Sequence, residues 1–319
     1  MNTKKVLRHF RNSGLKFLGR LSPGRNMTTF PDDVFLVSYP KSGNTWMRFL
    51  VGNLVYAEDP VTFANVEQRV PSVYGMPNRK LRDLPRPRYI KTHEPFHPDY
   101  KRVIYIVRDP RDVAVSYYHY LVKIRHLPAG SSVDAFVPQF IEEKLYARFG
   151  PWADHVMGWL AMSPSRKKFI FLRYEDLLNN TVSELIKVAK LLEIPPEEER
   201  LKRAVELSTA RRMRGLEKVE AGKWSTTKGT RANVPFVRAA KSGQWSEVLS
   251  AGSVAAIEAA WGPVMQSLGY KLVNDPVKLA SASASWRLWS AQVRMVEGVI
   301  KMPLQVFDGP QCSVHSTSD

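Results

Sequence analysis

A single cysteine, Cys312, stands in a chain of 319 residues. No intrachain disulfide and no cysteine-based metal cage can form, and a reducing compartment is the simpler expectation. No apolar run approaches the ~18 residues that a membrane-spanning helix needs, and no signal-type hydrophobic stretch lies near the start. A cytoplasmic location is therefore expected. The nucleotide-loop pattern G-x-x-x-x-G-K-[ST] is missing, and so is any His/Cys/Asp/Glu cluster with metal-ligand spacing. Acidic residues are also scarce, 30 against 47 Lys and Arg, for a net charge of +17.

The basic excess is localised. Residues 1–30 hold seven Lys or Arg and no acid, and residues 201–245 hold eleven against three, so two regions supply 15 of the 17 charges. Such patches fit a polyanionic ligand, an anionic membrane or nucleic acid, and charge alone does not separate these. In the first segment Leu7, Phe10, Phe17, Leu18 and Leu21 share a rough helical stripe that Gly14 and Gly19 weaken, which reads as a basic arm. Beyond Asn274, Trp286, Trp289, Val293 and Ile300 alternate with basic residues in a second amphipathic segment, suited to a membrane surface or to docking on the domain. The organisation expected is a basic arm over 1–30, a catalytic domain over 31–275 and a basic extension over 276–319.

The chain centres on V-F-L-V-S-Y-P-K-S-G-N-T-W-M-R-F-L, which reads as strand, tight loop and helix. Val34–Tyr39 is apolar and rich in β-branched and aromatic residues, and Trp46, Phe49, Leu50 and Leu54 recur at helical spacing. Gly43 lets the backbone turn, so backbone N–H groups and a helix N-terminus converge on one point with Lys41 beside it, an anion site. Residues 58–88, with Pro60, Pro71, Pro77, Pro85 and Pro87, read as a long irregular connection. Tyr89–Thr92 follows as a short strand that leaves Lys91 and His93 on one side, at the strand end where open parallel sheets carry ligands.

Val103–Val107 reads as a buried parallel strand with Arg108 at its end. Asp109 is placed to cap a helix opening at Pro110, with Ser116 about two turns in. Arg108 can grip a phosphate with its planar fork, and an ion pair with Asp109 or Asp112 is its competing use. Residues 133–163 read as helical, with Trp152, Val156, Trp159 and Leu160 spaced for a core. Phe169–Leu172 is a further strand, Thr181–Leu192 and Pro196–Ser208 are helices, and residues 251–268 close the domain as a helix. The basic region 201–245 reads as a long loop folded over a negative ligand, with Arg238 and Lys241 toward phosphate.

Together these segments resemble the soluble sulfotransferases that use 3'-phosphoadenosine 5'-phosphosulfate (PAPS), from about Phe35 to Tyr270. Y-P-K-S-G-N-T-W is similar to that family's 5'-phosphosulfate loop, I-K-T-H-E-P to its catalytic-histidine strand, and V-R-D-P-R-D-V-A-V-S-Y-Y-H-Y to its 3'-phosphate element. G-P-W-A-D-H-V-M-G-W and L-R-Y-E-D-L match two further family segments. The fold implied is α/β, a three-layer P-loop-like architecture with a central parallel sheet flanked by helices. The function implied is transfer of a sulfuryl group from PAPS, with no metal, to a hydroxyl or amine.

By the same resemblance, Lys41 touches the oxygen bridging phosphate and sulfate, and Ser42, Gly43, Asn44, Thr45 and Trp46 hold the 5'-phosphate and adenine side. His93 is the general base, Lys91 stabilises the transferring group, and Arg108 and Ser116 hold the 3'-phosphate. Tyr174, Ser208, Thr209 and Met213 contact the nucleotide. F-V-R-A-A-K-S-G-Q-W keeps Phe236 and Arg238 of the family's F-M-R-K-G-x-x-G-D-W but puts Ala239 and Ala240 for its Lys-Gly pair, with Lys241 as a possible replacement. The family's K-x-x-x-T-V-x-x-x-E dimer segment is missing after Trp245, which leaves the oligomeric state open.

Two other readings compete. A nucleotide kinase is disfavoured by the missing loop pattern, and a non-catalytic protein binding nucleic acid or membrane is disfavoured by Lys41, Lys91 and His93 occurring together. The acceptor pocket is expected between 60–88, 119–149 and the basic loop. Phe63, Val73, Tyr74, Met76, Phe136 and Phe140 suggest a hydrophobic small molecule or lipid, and the two basic ends leave peripheral membrane contact open.

Overall fold

The computed structural model describes residues 24–142, 148–161 and 168–275. Most of the expected basic arm and the whole amphipathic extension, with Trp286, Trp289 and Cys312, lie outside them. Four strands form one sheet, β1 Val34–Ser38, β2 Tyr89–Thr92, β3 Arg102–Val107 and β4 Lys168–Arg173, in the order β2-β1-β3-β4 with every pair parallel. The register sets Val34 beside both Tyr89 and Arg102, and Arg102 beside Lys168. All four strands therefore end at one edge.

Alternate residues of one strand feed different cores. Phe35 and Val37 point with Val103 and Tyr105 to one face, and Val34 and Leu36 point with Ile104 and Ile106 to the other. Because both faces are covered, the strands read as unbroken apolar runs. Helix α1 (Asn44–Val55) packs on the second face, whereas α2 (Pro110–Lys123), α3 (Val133–Ile141) and α4 (Trp152–Ala161) lie on the first. The second face is completed by α5 (Thr181–Leu191) and α6 (Glu198–Leu207), and α8 (Ala251–Ser267) closes the first, with α7 (Ala210–Glu220) preceding it in the chain. This is the three-layer α/β fold, with Trp152, Val156, Trp159 and Leu160 in the core as their spacing required.

Asp109 accepts the backbone N–H of Arg111 at 2.9 Å and caps α2, with Pro110 in its first turn. Arg111 bonds Asp109 at 3.0 Å through Nε and Glu258 of α8 at 2.7 Å through Nη1. That buried triad ties the start of α2 to the closing helix and fixes the turn that carries Arg108.

Two expectations need correction. The segment 58–88 is not wholly irregular, since Val66–Arg69 and Asn78–Arg82 are short helices. The basic region 201–245 is not one loop either, since α6 runs to Leu207 and α7 follows directly. Only Met213 and Glu217 of α7 are buried, and a helix with so narrow an apolar face leaves little periodicity to detect. Thr209 caps it by accepting from Arg212.

Candidate functional site

The sheet edge gathers four chain exits. The strand ends lead into the loop 39–43, His93, Arg108 and Tyr174, the location that parallel sheets reserve for ligands. In the first loop Lys41 has φ +70° and Gly43 φ +98°. Gly43 stands at the N-cap of α1 without a side-chain cap, so the first-turn N–H groups look outward. Gly43 is also pressed on Tyr174, where an added Cβ would lie 2.6 Å from Cδ2. Gly43→Ala must push the Tyr174 ring aside and strain the backbone. Nucleotide affinity is expected to fall more than tenfold (~1.4 kcal/mol) with the melting temperature lowered by only a few degrees, read by calorimetry and thermal unfolding.

Asn44 behaves differently from expectation. Its Nδ2 donates to the Leu36 carbonyl at 3.0 Å and the Ser38 hydroxyl at 3.2 Å, tying the loop to the sheet, so its donor is already engaged. In the cavity wall the buried Arg108 Nε and Asn44 Oδ1 have no protein partner. Buried polar atoms of this kind ordinarily find one, and at a ligand site the ligand supplies it.

Lys41, Arg108 and Arg238 converge. Arg108 lies over the Tyr174 ring at 4.3 Å, donates to the Lys241 carbonyl at 3.0 Å, and stands 3.6 Å from Asp112. Asp112 already accepts the backbone N–H groups of Gly243 and Trp245, at 2.8 and 3.1 Å, so it offsets the cluster only in part. Arg238 donates to Gln244 at 3.0 Å, and burial and Arg108 together lower its pKa. The Lys41 ammonium sits 4.3 Å from the Tyr120 ring and 4.5 Å from Phe236. Burial, then Arg238 and Arg108, push its pKa down to about 7. Three cations held this close favour an anion between them.

The Lys41 value sets a pH dependence. Below pH 7 the free protein already carries the ammonium, and above it an anion must bind together with a proton. Affinity for a nucleotide 5'-phosphate is therefore expected to fall by up to about tenfold per pH unit above 7. Calorimetry in buffers of differing ionisation heat should show proton uptake there, and Lys41→Arg should remove it.

On the other side, His93 Nδ1 lies 2.8 Å from the Ser38 carbonyl. A carbonyl only accepts, so Nδ1 carries the proton and Nε2 is left with its lone pair. Burial, then Lys91, hold the His93 pKa well below its ordinary value, so the imidazole is neutral at neutral pH. Its ring packs against Tyr74, stacked at 6.2 Å, and Phe149 at 5.7 Å, and those two rings also touch each other at 5.8 Å. The His93 backbone N–H donates to the Tyr74 hydroxyl at 2.9 Å, and its carbonyl accepts from His155 Nε2 at 3.1 Å. The Lys91 ammonium rests 4.7 Å from the Tyr74 ring, and burial, then Arg48, lower its pKa well below the ordinary value.

One cavity of about 760 Å³ joins the two sides. Lys41, Gly43, Asn44, Thr45, Trp46, Lys91, His93, Arg108, Ser116, Tyr174, Met213, Phe236 and Arg238 all line it. Four expected residues do not. Ser42 is buried behind the loop, Ser208 bonds Asn53 and the Ala204 carbonyl, Thr209 caps α7, and Lys241 is exposed. Lys241 offers Arg108 its carbonyl instead, because Ala240 at φ +51° turns the chain.

The expected acceptor residues also need correction, since only Tyr74 of the six lines the cavity. Phe63 packs on Phe49 and Trp224, Val73, Phe136 and Phe140 belong to the main core, and Met76 packs against it. Other residues, within the expected segments 119–149 and the basic loop but not singled out in the sequence, take their place. Tyr120, Arg148, Phe149 and Trp224 line the cavity, and Arg48 pairs with Glu67 at 2.9 Å in its wall. Among the described residues no group of His, Cys, Asp and Glu could hold a metal, and no helix is long and apolar enough to cross a membrane.

The sequence matches the family model described as a sulfotransferase domain over residues 31–269. It is 28% identical over 233 residues to the curated mouse protein Sulfotransferase 1E1, covering 67% of this chain and 77% of that protein. It is 29% identical over 265 residues to Sulfotransferase 1A1 of Bos taurus, covering 78% of this chain and 88% of that one. Among solved structures, a retinol dehydratase in complex with androsterone and the inactive cofactor PAP superposes with TM-score 0.66 at 22% identity, covering 76% and 83% of the two chains. Mouse sulfotransferase SULT7A1 complexed with PAP gives 0.61 at 22%, covering 85% and 93%. At these identities the two structures speak for the fold.

Proposed function

The chain belongs to the sulfotransferase family, and from that premise we propose that it transfers the sulfuryl group of PAPS to a hydroxyl of an aromatic or amphiphilic small molecule, with His93 as general base. The observation that carries this reading is the His93 tautomer: Nδ1–H is fixed on the Ser38 carbonyl, so Nε2 is the basic atom, on a residue that shares one cavity with Lys41 and Arg108.

The residues present fit PAPS. Arg108 Nε is buried without a protein partner, the α1 N-terminus has no side-chain cap, and Gly43 leaves room that a Cβ would fill. Arg108, Ser116 and Arg238 would hold the 3'-phosphate, the loop from Lys41 to Trp46 the 5' end, and Tyr174 and Met213 the base and sugar. PAPS supplies an activated sulfuryl group whose bond to the 5'-phosphate oxygen breaks with the electron pair leaving on phosphate. Lys41 would stand by the oxygen where that charge develops, and a positioned cation there is worth more in a site that excludes water. Nε2 of His93 takes the acceptor proton as the new S–O bond forms. Lys91 beside it opposes charge on the sulfuryl oxygens.

The retinol dehydratase structure contains androsterone, and a small-molecule acceptor fits this cavity as well, bounded by Tyr74, Tyr120, Phe149, Trp224 and Phe236. A protein acting on such compounds away from a membrane span fits a soluble role, with membrane contact by the terminal segments a separate proposal that liposome sedimentation would test. The transfer itself is tested by incubating the protein with labelled PAPS and a panel of phenols and alcohols. PAP and an O-sulfate ester should form in equal amounts. Intact PAP binding with no ester from any member of a broad panel would argue for a binding protein on this fold.

A further inference from the structure

The cavity carries more positive charge than a nucleotide needs. Seven basic side chains line it against one carboxylate, Glu67, and that carboxylate is taken by Arg48 at 2.9 Å, by the Trp224 indole N–H at 2.9 Å and by the Ser72 backbone N–H at 2.9 Å. With PAPS bound, Lys41, Arg108 and Arg238 would serve the phosphate groups and Lys91 the sulfuryl group. PAPS brings about four negative charges for these four cations, a 3'-phosphate near two and a phosphosulfate with two. Arg148 and Lys228 are left over.

Arg148 stands on the acceptor side. Its guanidinium lies 4.5 Å from the Tyr74 ring and 5.5 Å from Phe149, the two rings that also flank His93. Among the described residues its one ion-pair partner is Glu94, reached through a single nitrogen at 3.4 Å, and the Arg148 side chain is 52% exposed. A guanidinium has five donors, so one long contact leaves most of the fork available. The ring that Arg148 covers also carries the Lys91 ammonium at 4.7 Å. Burial, then Arg48, and further down Arg148, lower the Lys91 pKa, and an anion bound beside Arg148 would favour the Lys91 ammonium.

We propose that the sulfate acceptor is itself anionic: a hydroxyl compound bearing a carboxylate, or a sulfate or phosphate ester, that Arg148 grips by its free edge. Its aromatic body lies along Tyr74 and Phe149, and its hydroxyl meets His93 Nε2. An acceptor that carries its hydroxyl and its anionic group on one aromatic ring suits this arrangement, because imidazole and guanidinium both pack against Tyr74 and Phe149. The inference rests on the sulfotransferase reading and narrows its acceptor class.

The test uses the full-length protein, saturating PAPS, and hydroxylated aromatic acids, sulfonates and phosphate monoesters, each paired with a neutral amide or ester of the same shape. Charge-assisted bidentate contacts are strong enough that the anionic member should lead its partner about tenfold or more in kcat/KM. The difference should lie in KM. In Arg148→Gln the ratio should collapse to about one, and Arg148→Lys should restore part of it. The arm with the largest ratio identifies the anionic group. The same pairs titrated into PAP-saturated protein report any compound that binds without reacting. Ratios near one in the wild type, ratios retained in Arg148→Gln, or no binding by any anionic member would each overturn the proposal. Loss of PAP binding would instead strike at the sulfotransferase reading itself.

Discussion

Replacing His93 by alanine is expected to lower kcat for sulfate transfer about 10²- to 10⁴-fold while PAP affinity changes by less than about twofold. The imidazole serves the acceptor end, and the nucleotide contacts are drawn from other strand ends. His93 is held on three sides, by the Ser38 carbonyl at 2.8 Å and by the Tyr74 and Phe149 rings. Alanine therefore leaves a cavity, and His93→Gln serves as the control that keeps volume and polarity without a titratable base. Single-turnover kinetics with bound PAPS separates the chemical step from binding. Because the His93 pKa lies well below its ordinary value, the wild-type rate should not decline as pH falls from 8 to 6.5. A decline centred near 6.5 would show an imidazole that titrates normally and would contradict the buried, neutral base.

Lys41→Ala is expected to lower kcat about 10²- to 10³-fold, the usual cost of removing one donor aimed at developing charge. It should also weaken PAP binding, by a smaller factor. The Lys41 ammonium is clamped between Tyr120 and Phe236 at 4.3 and 4.5 Å, so it is directed at one point at little entropic cost when the ligand arrives. Lys41→Arg should recover binding better than rate, because the planar fork cannot occupy the same clamp as a point charge. Equal losses in PAP binding and in kcat/KM, with kcat unchanged, would assign Lys41 to ground-state binding only.

Sequence and structure agree where burial on both faces writes a continuous apolar run. β1, β2 and β3 differ from their expected limits by one residue at most, and Asp109 caps α2 as its position before Pro110 required. The site-bearing strand ends follow from that agreement, which is why Lys41, Lys91, His93 and Arg108 were legible. Helix α7 was not, because its buried face amounts to Met213 and Glu217. Glu217 accepts the backbone N–H groups of Phe236 and Val237 at 2.6 and 2.8 Å, so a carboxylate does what an apolar residue does elsewhere.

On the acceptor side the expected segments line the cavity but most of the named residues do not, for a different reason. Apolar type does not distinguish a core residue from a pocket wall, and Phe136 and Phe140 went to the core. Residues that do line the cavity, such as Arg148 and Trp224, sit in segments with no regular period, and only the tertiary fold brings them into one cavity with His93. Lys241 illustrates a third limit, since the backbone rather than the side chain of that residue meets Arg108.

The most direct test of the account is calorimetric titration of the protein with PAP beside AMP and ATP, repeated in Arg108→Ala. The account predicts that PAP binds at least about 10²-fold more tightly than AMP, since a buried charge-assisted pair is worth about 3 kcal/mol, and that Arg108→Ala removes most of this preference. Equal affinity for PAP and AMP, or a preference for ATP, would contradict a 3'-phosphate site at the end of β3 and with it the assignment of this cavity to PAPS.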